Sequence, residues 1–532
     1  MQTRCGSVAE RNQPTKLTRQ HLLVGEVSPQ AMKNLVRKAE ISLLFLTTFR
    51  AFLVVCLFAG CKPKQPATLE SKPQSFTNSF LQAELDRIGN LPFEHDPTKR
   101  PLVLSQPASN RRQWAFQALQ RGYRATGKTN GLWDSQVERA FGVFADYTRI
   151  STTNWPVLKE ALMAVPNSCD DPMIQYMRVR YKDEFSSTEK SASEFIRAHD
   201  AMAQSQYHPL FKFMAGLRAV DKARAADKTK STRRDTRINW TTASLEDLAR
   251  DTNAPIDEVF EPAKMWVEHT YAKGWSEYIL HDLAPIMERN WGQTEQWFRF
   301  RGRAEIRWAW GDRRTGFADK VSDKGWEGFK EHLDKAEEFL TKAWEMNTNI
   351  AETAYLMMRL ELGQGQGRSR METWFNRAMS LDTNFFDAAS LMSFYLEPRW
   401  YGSESKALSF ARSCADFDKW GGSVPLVLAK LHRSLANYRN LSNSPAYWHQ
   451  PQVWHDVKSS YEKFFTLNPD AASWRHNYAK DAYDCGQYSV FLGQTKLFAF
   501  GTNYSFFGGQ KEFEQMLAIA VTTTAKDRVS PR

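Results

Sequence analysis

Strand-like alternation of apolar and polar residues is scarce in this 532-residue chain, and so are the spacings that announce known chemistry. No His-Glu-x-x-His pair offers a catalytic zinc site, no close Cys/His cluster has zinc-binding spacing, and no Gly-x-Ser-x-Gly elbow presents a nucleophile. The eleven histidines are scattered singly, and His95-Asp96 and His281-Asp282 read as surface histidines beside helix-end carboxylates. Cysteine is sparse: Cys169, Cys414 and Cys485 lie far apart after residue 61, an odd number that excludes a complete disulfide framework. They read as small buried hydrophobes. Gly363-Gln364-Gly365-Gln366-Gly367-Arg368 lacks the Gly-Lys-Ser/Thr ending of a phosphate loop and reads as a connector. These absences predict a non-enzymatic protein with no catalytic residue, cofactor or metal site. Net charge excludes little more. Residues 1–60 hold eight Lys/Arg and three Asp/Glu, so +5 of the formal +11 sits there and +6 remains for the rest. That is a mildly basic surface and no argument for a nucleic-acid partner.

What is present begins with an apolar run, Ala51 to Gly60, behind a basic segment containing Lys33, Arg37, Lys38 and Arg50. A charged region, a short apolar region and small residues at the end describe a secretory signal over 1–60. Leu57-Phe58-Ala59-Gly60-Cys61 resembles the lipobox of bacterial lipoproteins. The resemblance implies cleavage before Cys61, lipidation of its thiol, and a chain tethered in the cell envelope facing the periplasm or exterior. Met32 offers a second start for a shorter signal. An uncleaved anchor helix over Ile41–Gly60 is the alternative, with Arg50 near its middle costing about 2.5–3.5 kcal/mol.

Residues 61–79 are rich in proline, lysine and hydroxylic side chains and read as a flexible tether. Helical periodicity follows. Met173, Tyr176, Met177 and Arg180 fall at i, i+3, i+4, i+7, and Asp170-Asp171-Pro172 supplies an N-cap with proline in the first turn. The charged stretch 221–240 is expected to link an N-terminal helical domain (80–220) to a repeat domain (241–515), with a tail over 516–532.

The clearest internal order lies at 336–470. Ala336, Leu340 and Ala343 precede Thr348 by the same offset that separates Met371, Phe375 and Ala378 from Thr383. Glu404, Leu408 and Ala411 form a degenerate copy, and Val457, Tyr461 and Phe464 precede Pro469. A period near 34 residues resembles the second helix of a tetratricopeptide repeat. Asn349 before Glu352 and Asn384 before Asp387 have near capping-box spacing for the helices that follow. The expected fold is all-α: a right-handed tetratricopeptide-like superhelix of antiparallel helix pairs.

Trp308-Ala309-Trp310-Gly311, Ala343-Trp344, Trp374-Phe375-Asn376-Arg377-Ala378 and Leu396-Glu397-Pro398-Arg399-Trp400-Tyr401-Gly402-Ser403 together resemble the bacterial family catalogued as domain of unknown function 4034. That resemblance implies a fold over roughly 240–500 and no catalytic residue. Arg399, Trp400 and Tyr401 could grip a ligand by charge and stacking, or serve as an inter-helix turn with Ser403 capping the next helix. Residues 291–314 interleave Trp291, Trp297, Phe298, Phe300, Trp308 and Trp310 with Arg299, Arg301, Arg303, Arg307, Arg313 and Arg314. Helical spacing reads them as a buried aromatic stripe with a solvated basic flank. The sequence points to an envelope scaffold or adaptor that binds protein or peptide through its repeats; the alternatives are a lipoprotein binding cell-wall polysaccharide and, ranking below it, an envelope hydrolase.

Overall fold

The computed structural model describes residues 108–147, 155–185, 189–226, 236–269, 278–314, 318–469, 471–498 and 502–529. Cys61, the signal, the tether and His95-Asp96 lie outside the described residues. Among those described, every regular element is a helix. None of these helices is long and apolar enough to cross a membrane.

The N-terminal helices are α1 (Ala108–Ala125), α2 (Asp134–Tyr147), α3 (Trp155–Ala164), α4 (Pro172–Phe185) and α5 (Glu189–Ala203). Asp171 starts α4 as the sequence predicts, its Oδ1 accepting from the backbone N–H of Met173 at 2.9 Å and Ile174 at 3.0 Å. It is wholly buried, and the Tyr207 hydroxyl donates to the same carboxylate at 2.9 Å. Met173, Tyr176, Met177 and Arg180 are all buried.

After α5 come α6 (Pro209–Ala226), α7 (Thr236–Arg250) and α8 (Ile256–His269), then α9 (Ala284–Trp291), α10 (Glu295–Arg313) and α11 (Asp323–Met346). The series continues with α12 (Ala351–Gln364), α13 (Arg368–Leu381), α14 (Phe386–Tyr395), α15 (Glu404–Asp416) and α16 (Leu426–Tyr438). It closes with α17 (Pro445–Trp448), α18 (Pro451–Leu467), α19 (Arg475–Asp484), α20 (Tyr488–Thr495) and α21 (Gln510–Val529). The helices form two rows. α6, α8, α10, α12, α14 and α16 touch in succession, while α7, α11, α13 and α15 each bridge the two helices flanking them in sequence. Thr353–Leu362 of α12 is buried around its whole circumference, whereas α11 and α15 keep a solvated face. The first row is therefore inner and the second outer.

The repeat positions explain this arrangement. Ala336, Leu340 and Ala343 on α11, Met371, Phe375 and Ala378 on α13, and Val457, Tyr461 and Phe464 on α18 are buried where those helices meet their neighbours. In the degenerate copy Ala411 is buried and Glu404 begins α15 at the surface. One helix pair cannot cover its own apolar face, so stacking supplies the core.

The core does not part at the charged segment. One apolar cluster runs from Ala115 to Ala304, including Val220 and Leu245 on either side of it, and a second runs from Ile306 to Cys485. α6 and α7 extend into the segment 221–240 from both sides and pack together. The seam between cores falls inside α10, whose length lets it serve both. Cys169, Cys414 and Cys485 are buried and unbridged.

Gly302 permits a close approach of α10 to α11. A Cβ there would stand 2.5 Å from Leu340 Cγ. Gly302→Ala gains about 1 kcal/mol of helix propensity but forces an overpacked crossing costing about 1–3 kcal/mol. The expected net is destabilisation of about 1 kcal/mol, read as a lower urea midpoint with unchanged slope.

Candidate functional site

Charge on the inner row is arranged as a ladder across successive helices. Thr294 caps α10, its hydroxyl accepting from Trp297 N at 3.2 Å, which sets the helix phase. Arg299, Arg303 and Arg307 then recur every fourth residue along α10. Lys264 and Glu268 recur likewise on α8, and Glu352, Tyr355 and Arg359 fall at i, i+3, i+7 on α12.

These side chains interlock. The Glu352 carboxylate accepts from Arg303 at 2.6 Å and pairs with Lys264 at 3.0 Å through one oxygen, and accepts from Arg299 at 2.5 Å through the other. Arg303 also donates to Glu268, which accepts from Arg359 at 2.7 Å. Arg303 thus bridges two carboxylates on two different helices. Burial alone would push Glu268 up, but Arg359 and Arg303 outweigh it and bring its pKa down to about 2. Glu352 is likewise held below the usual carboxylate range, burial being overcome by Lys264, Arg299 and Arg303.

Further along the row stand Asp387 on α14 and Lys430 on α16. Burial raises the Asp387 carboxyl against the pull of Lys430, Arg303 and Arg359. Burial lowers Lys430 to about 8, opposed by Asp387 and Glu397. The ammonium lies 5.1 Å from the Phe386 ring centroid. Beyond it, Arg433 of α16 forks onto Asp481 of α19, with the Tyr461 hydroxyl inside the pair.

Water still reaches this ladder. The side chains of Lys264, Glu352 and Arg433 are 31%, 21% and 26% exposed. These groups are largely surrounded by protein yet keep contact with water. Charged groups so placed can hold an extended polar chain by charge-assisted hydrogen bonds. Among the described residues, no group of three His, Cys, Asp or Glu is arranged to hold a metal ion.

The sequence-predicted site residues lie elsewhere. Arg399 is buried; its Nε donates to Glu397 at 2.7 Å, and the Ser434 hydroxyl donates to the same carboxylate at 2.7 Å. Its guanidinium is engaged by Glu397 within the turn and by Ser434 of α16. Trp400 packs between Trp310 and Phe394, and only Tyr401 of the three is largely exposed. Ser403 caps α15 by accepting from Lys406 N at 3.3 Å. The glycine-rich segment is a connector: Gly365 ends α12 at φ +64°, and Glu361 accepts from Gly367 N at 2.8 Å. His281 and Asp282 are exposed.

Two expectations need correction. The basic flank of 291–314 is solvated only in part: Arg303, Arg307 and Arg313 are buried along with Trp297, Phe300 and Ala304, Arg299 and Arg301 are half-buried, and Arg314 is exposed. α10 is enclosed by α8, α9, α11 and α12, so a face that would be solvated on a surface helix is lined by carboxylates instead. The capping boxes do not form either. Ile350 and Phe385 occupy the N-cap positions without a side-chain bond, and Glu352 and Asp387 turn to the inner row. Three cations facing Glu352 outcompete one backbone N–H. Glu268, Glu352, Arg359, Asp387 and Lys430 were not legible as a set from spacing alone; acidic residues at the third position of unpaired caps were the available signal.

Compared with family models, curated proteins and solved structures, the chain matches none. The likeness carried by the tryptophan motifs has no support from these comparisons.

Proposed function

We propose that this chain is a non-enzymatic, lipid-tethered adaptor of the bacterial cell envelope, built as a tetratricopeptide-like superhelix. Its inner row grips a polypeptide segment of a partner protein. The observation that carries the reading is the ladder from Lys264 to Asp481, where side chains of both signs are fixed by one another yet partly open to water. A preorganised row of donors and acceptors binds an extended backbone and polar side chains without first having to be ordered.

The tether is Cys61, on the strength of the lipobox resemblance. Metabolic labelling with a fatty-acid probe is expected to mark the wild type and not Cys61→Ser, which should leave the membrane fraction. Label on Cys61→Ser, or none on either, overturns the tether. For the inner row, Lys264→Glu and Lys430→Glu are expected to abolish co-purification of a defined polypeptide from gently cross-linked envelopes while preserving helical content. Equal recovery with both variants would remove the inner row from the account.

A further inference from the structure

The two ends of the described array differ in what they show to water. At the first, α1 turns Arg112, Gln113, Gln117, Arg121 and Arg124 outward, the polar face expected of a terminal repeat. At the last, α21 packs on α20 and on the short turn Tyr504–Phe507, burying Phe513, Met516 and Ala520. Its outward face carries no charge from Gln515 to Ala525; Gln515, Ala518, Ile519, Val521, Thr522 and Ala525 are exposed there. Ile519 and Val521 are 47% and 55% exposed. The Thr522 hydroxyl donates to the Ala518 carbonyl at 2.8 Å, so its polar group is already satisfied within the helix.

Charge returns only at the two ends of this face, with Lys511, Glu512 and Glu514 at one and Lys526 at the other. Glu512 and Lys526 are both exposed and lie seven residues before and after Ile519. Seven residues make nearly two whole turns, so the three form one row along the helix. Among the described residues, neither Glu512 nor Lys526 is held in an ion pair of its own chain. A row that reads acid, aliphatic, base is complementary to itself when reversed.

We infer that α21 pairs with α21 of a second copy of this chain, antiparallel about a two-fold axis at Ile519. Glu512 of each copy then faces Lys526 of the other, and Ile519 meets its own counterpart. The small side chains of Ala518 and Ala525 let the two backbones approach, and Val521 closes the opposite flank. A parallel pairing would instead set Glu512 against Glu512 and Lys526 against Lys526. The contact uses the same patch on both copies, so it closes into a dimer and does not propagate into a filament. It is separate from the inner row, none of whose charged residues lies on α21.

Sedimentation velocity of the full chain over about 0.5–50 μM tests the pairing. A reversible monomer–dimer equilibrium is expected, with a dissociation constant on the order of 10 μM or below. Ile519→Asp should weaken it by about tenfold or more, because each association would bury two unpaired carboxylates. Glu512→Lys and Lys526→Glu should each weaken it by about 3- to 30-fold, since both ion pairs become repulsive. Mixing these two charge variants should restore the wild-type affinity, because both contacts then join opposite charges again. All three positions are exposed, so unchanged circular dichroism and thermal unfolding are expected for every variant. A chain still monomeric at about 50 μM, a dimer indifferent to Ile519→Asp, or mixed charge variants no tighter than either alone would overturn the inference. So would a monomer that sediments with phosphatidylglycerol vesicles and loses them on Ile519→Asp, which would assign the face to a lipid surface.

Discussion

Arg303→Met is expected to lower the unfolding free energy by about 3–5 kcal/mol, the cost of removing one partner from a buried ionic network. Arg303 is 6% exposed and joins Glu268 on α8 to Glu352 on α12. Methionine fills much of the volume, so the loss is electrostatic rather than a cavity. Two carboxylates are left with fewer cations in poorly solvated surroundings. Arg303→Lys should recover only part of the stability, because a single ammonium cannot reach both carboxylates with a fork. Urea unfolding at pH 7 gives the number. A change below about 1 kcal/mol would mean that the network is solvated and interchangeable.

Glu268→Gln should show the complementary dependence on pH. The carboxyl titrates ordinarily near 4.5 and is brought down to about 2 in the fold. A depressed carboxylate stabilises the native state fully above its unfolded pKa and loses that contribution as pH falls through the folded one. The difference between wild type and variant should therefore be largest above pH 4.5, on the order of 3 kcal/mol. It should shrink steadily toward pH 2. Lys430 works in the opposite range: held at about 8 against an ordinary 10.5, it makes unfolding take up a proton between those values, so stability rises there with pH. A pH-independent gap for Glu268→Gln would show that the glutamate acts by shape and not by charge.

Much of the scaffold was legible because it is written in spacing. Ala336-Leu340-Ala343 and Met371-Phe375-Ala378 sit at the helical period and are buried where the period places them. Asp171 announced a cap and forms one. Spacing carries this information because each helix needs only its own apolar stripe to find a neighbour. The charged ladder was hidden for the converse reason. Glu352 meets Arg299 and Arg303 across some fifty residues of chain, and Glu268 meets Arg359 across ninety-one. Nothing local distinguishes such arginines from a solvated flank. Glu352 and Asp387 even occupied positions where a local role, the capping box, was available to them.

The same contrast separates Arg399 from Tyr401. Both stand on one turn beside Trp400, yet Glu397, two residues back, captures the guanidinium while Tyr401 remains at the surface. A short loop can bury one neighbour and expose the next, and residue type alone does not say which.

The account centres on the inner row as the face that a partner polypeptide occupies. Photo-cross-linking in intact envelopes tests it most directly, with a benzoyl-phenylalanine at Phe386 beside Lys430 and, as control, at the exposed Lys342 of α11. One discrete polypeptide adduct from position 386, absent from position 342 and lost on adding Lys430→Glu, is the predicted result. Adducts of equal yield from both positions, or none from 386, would contradict it.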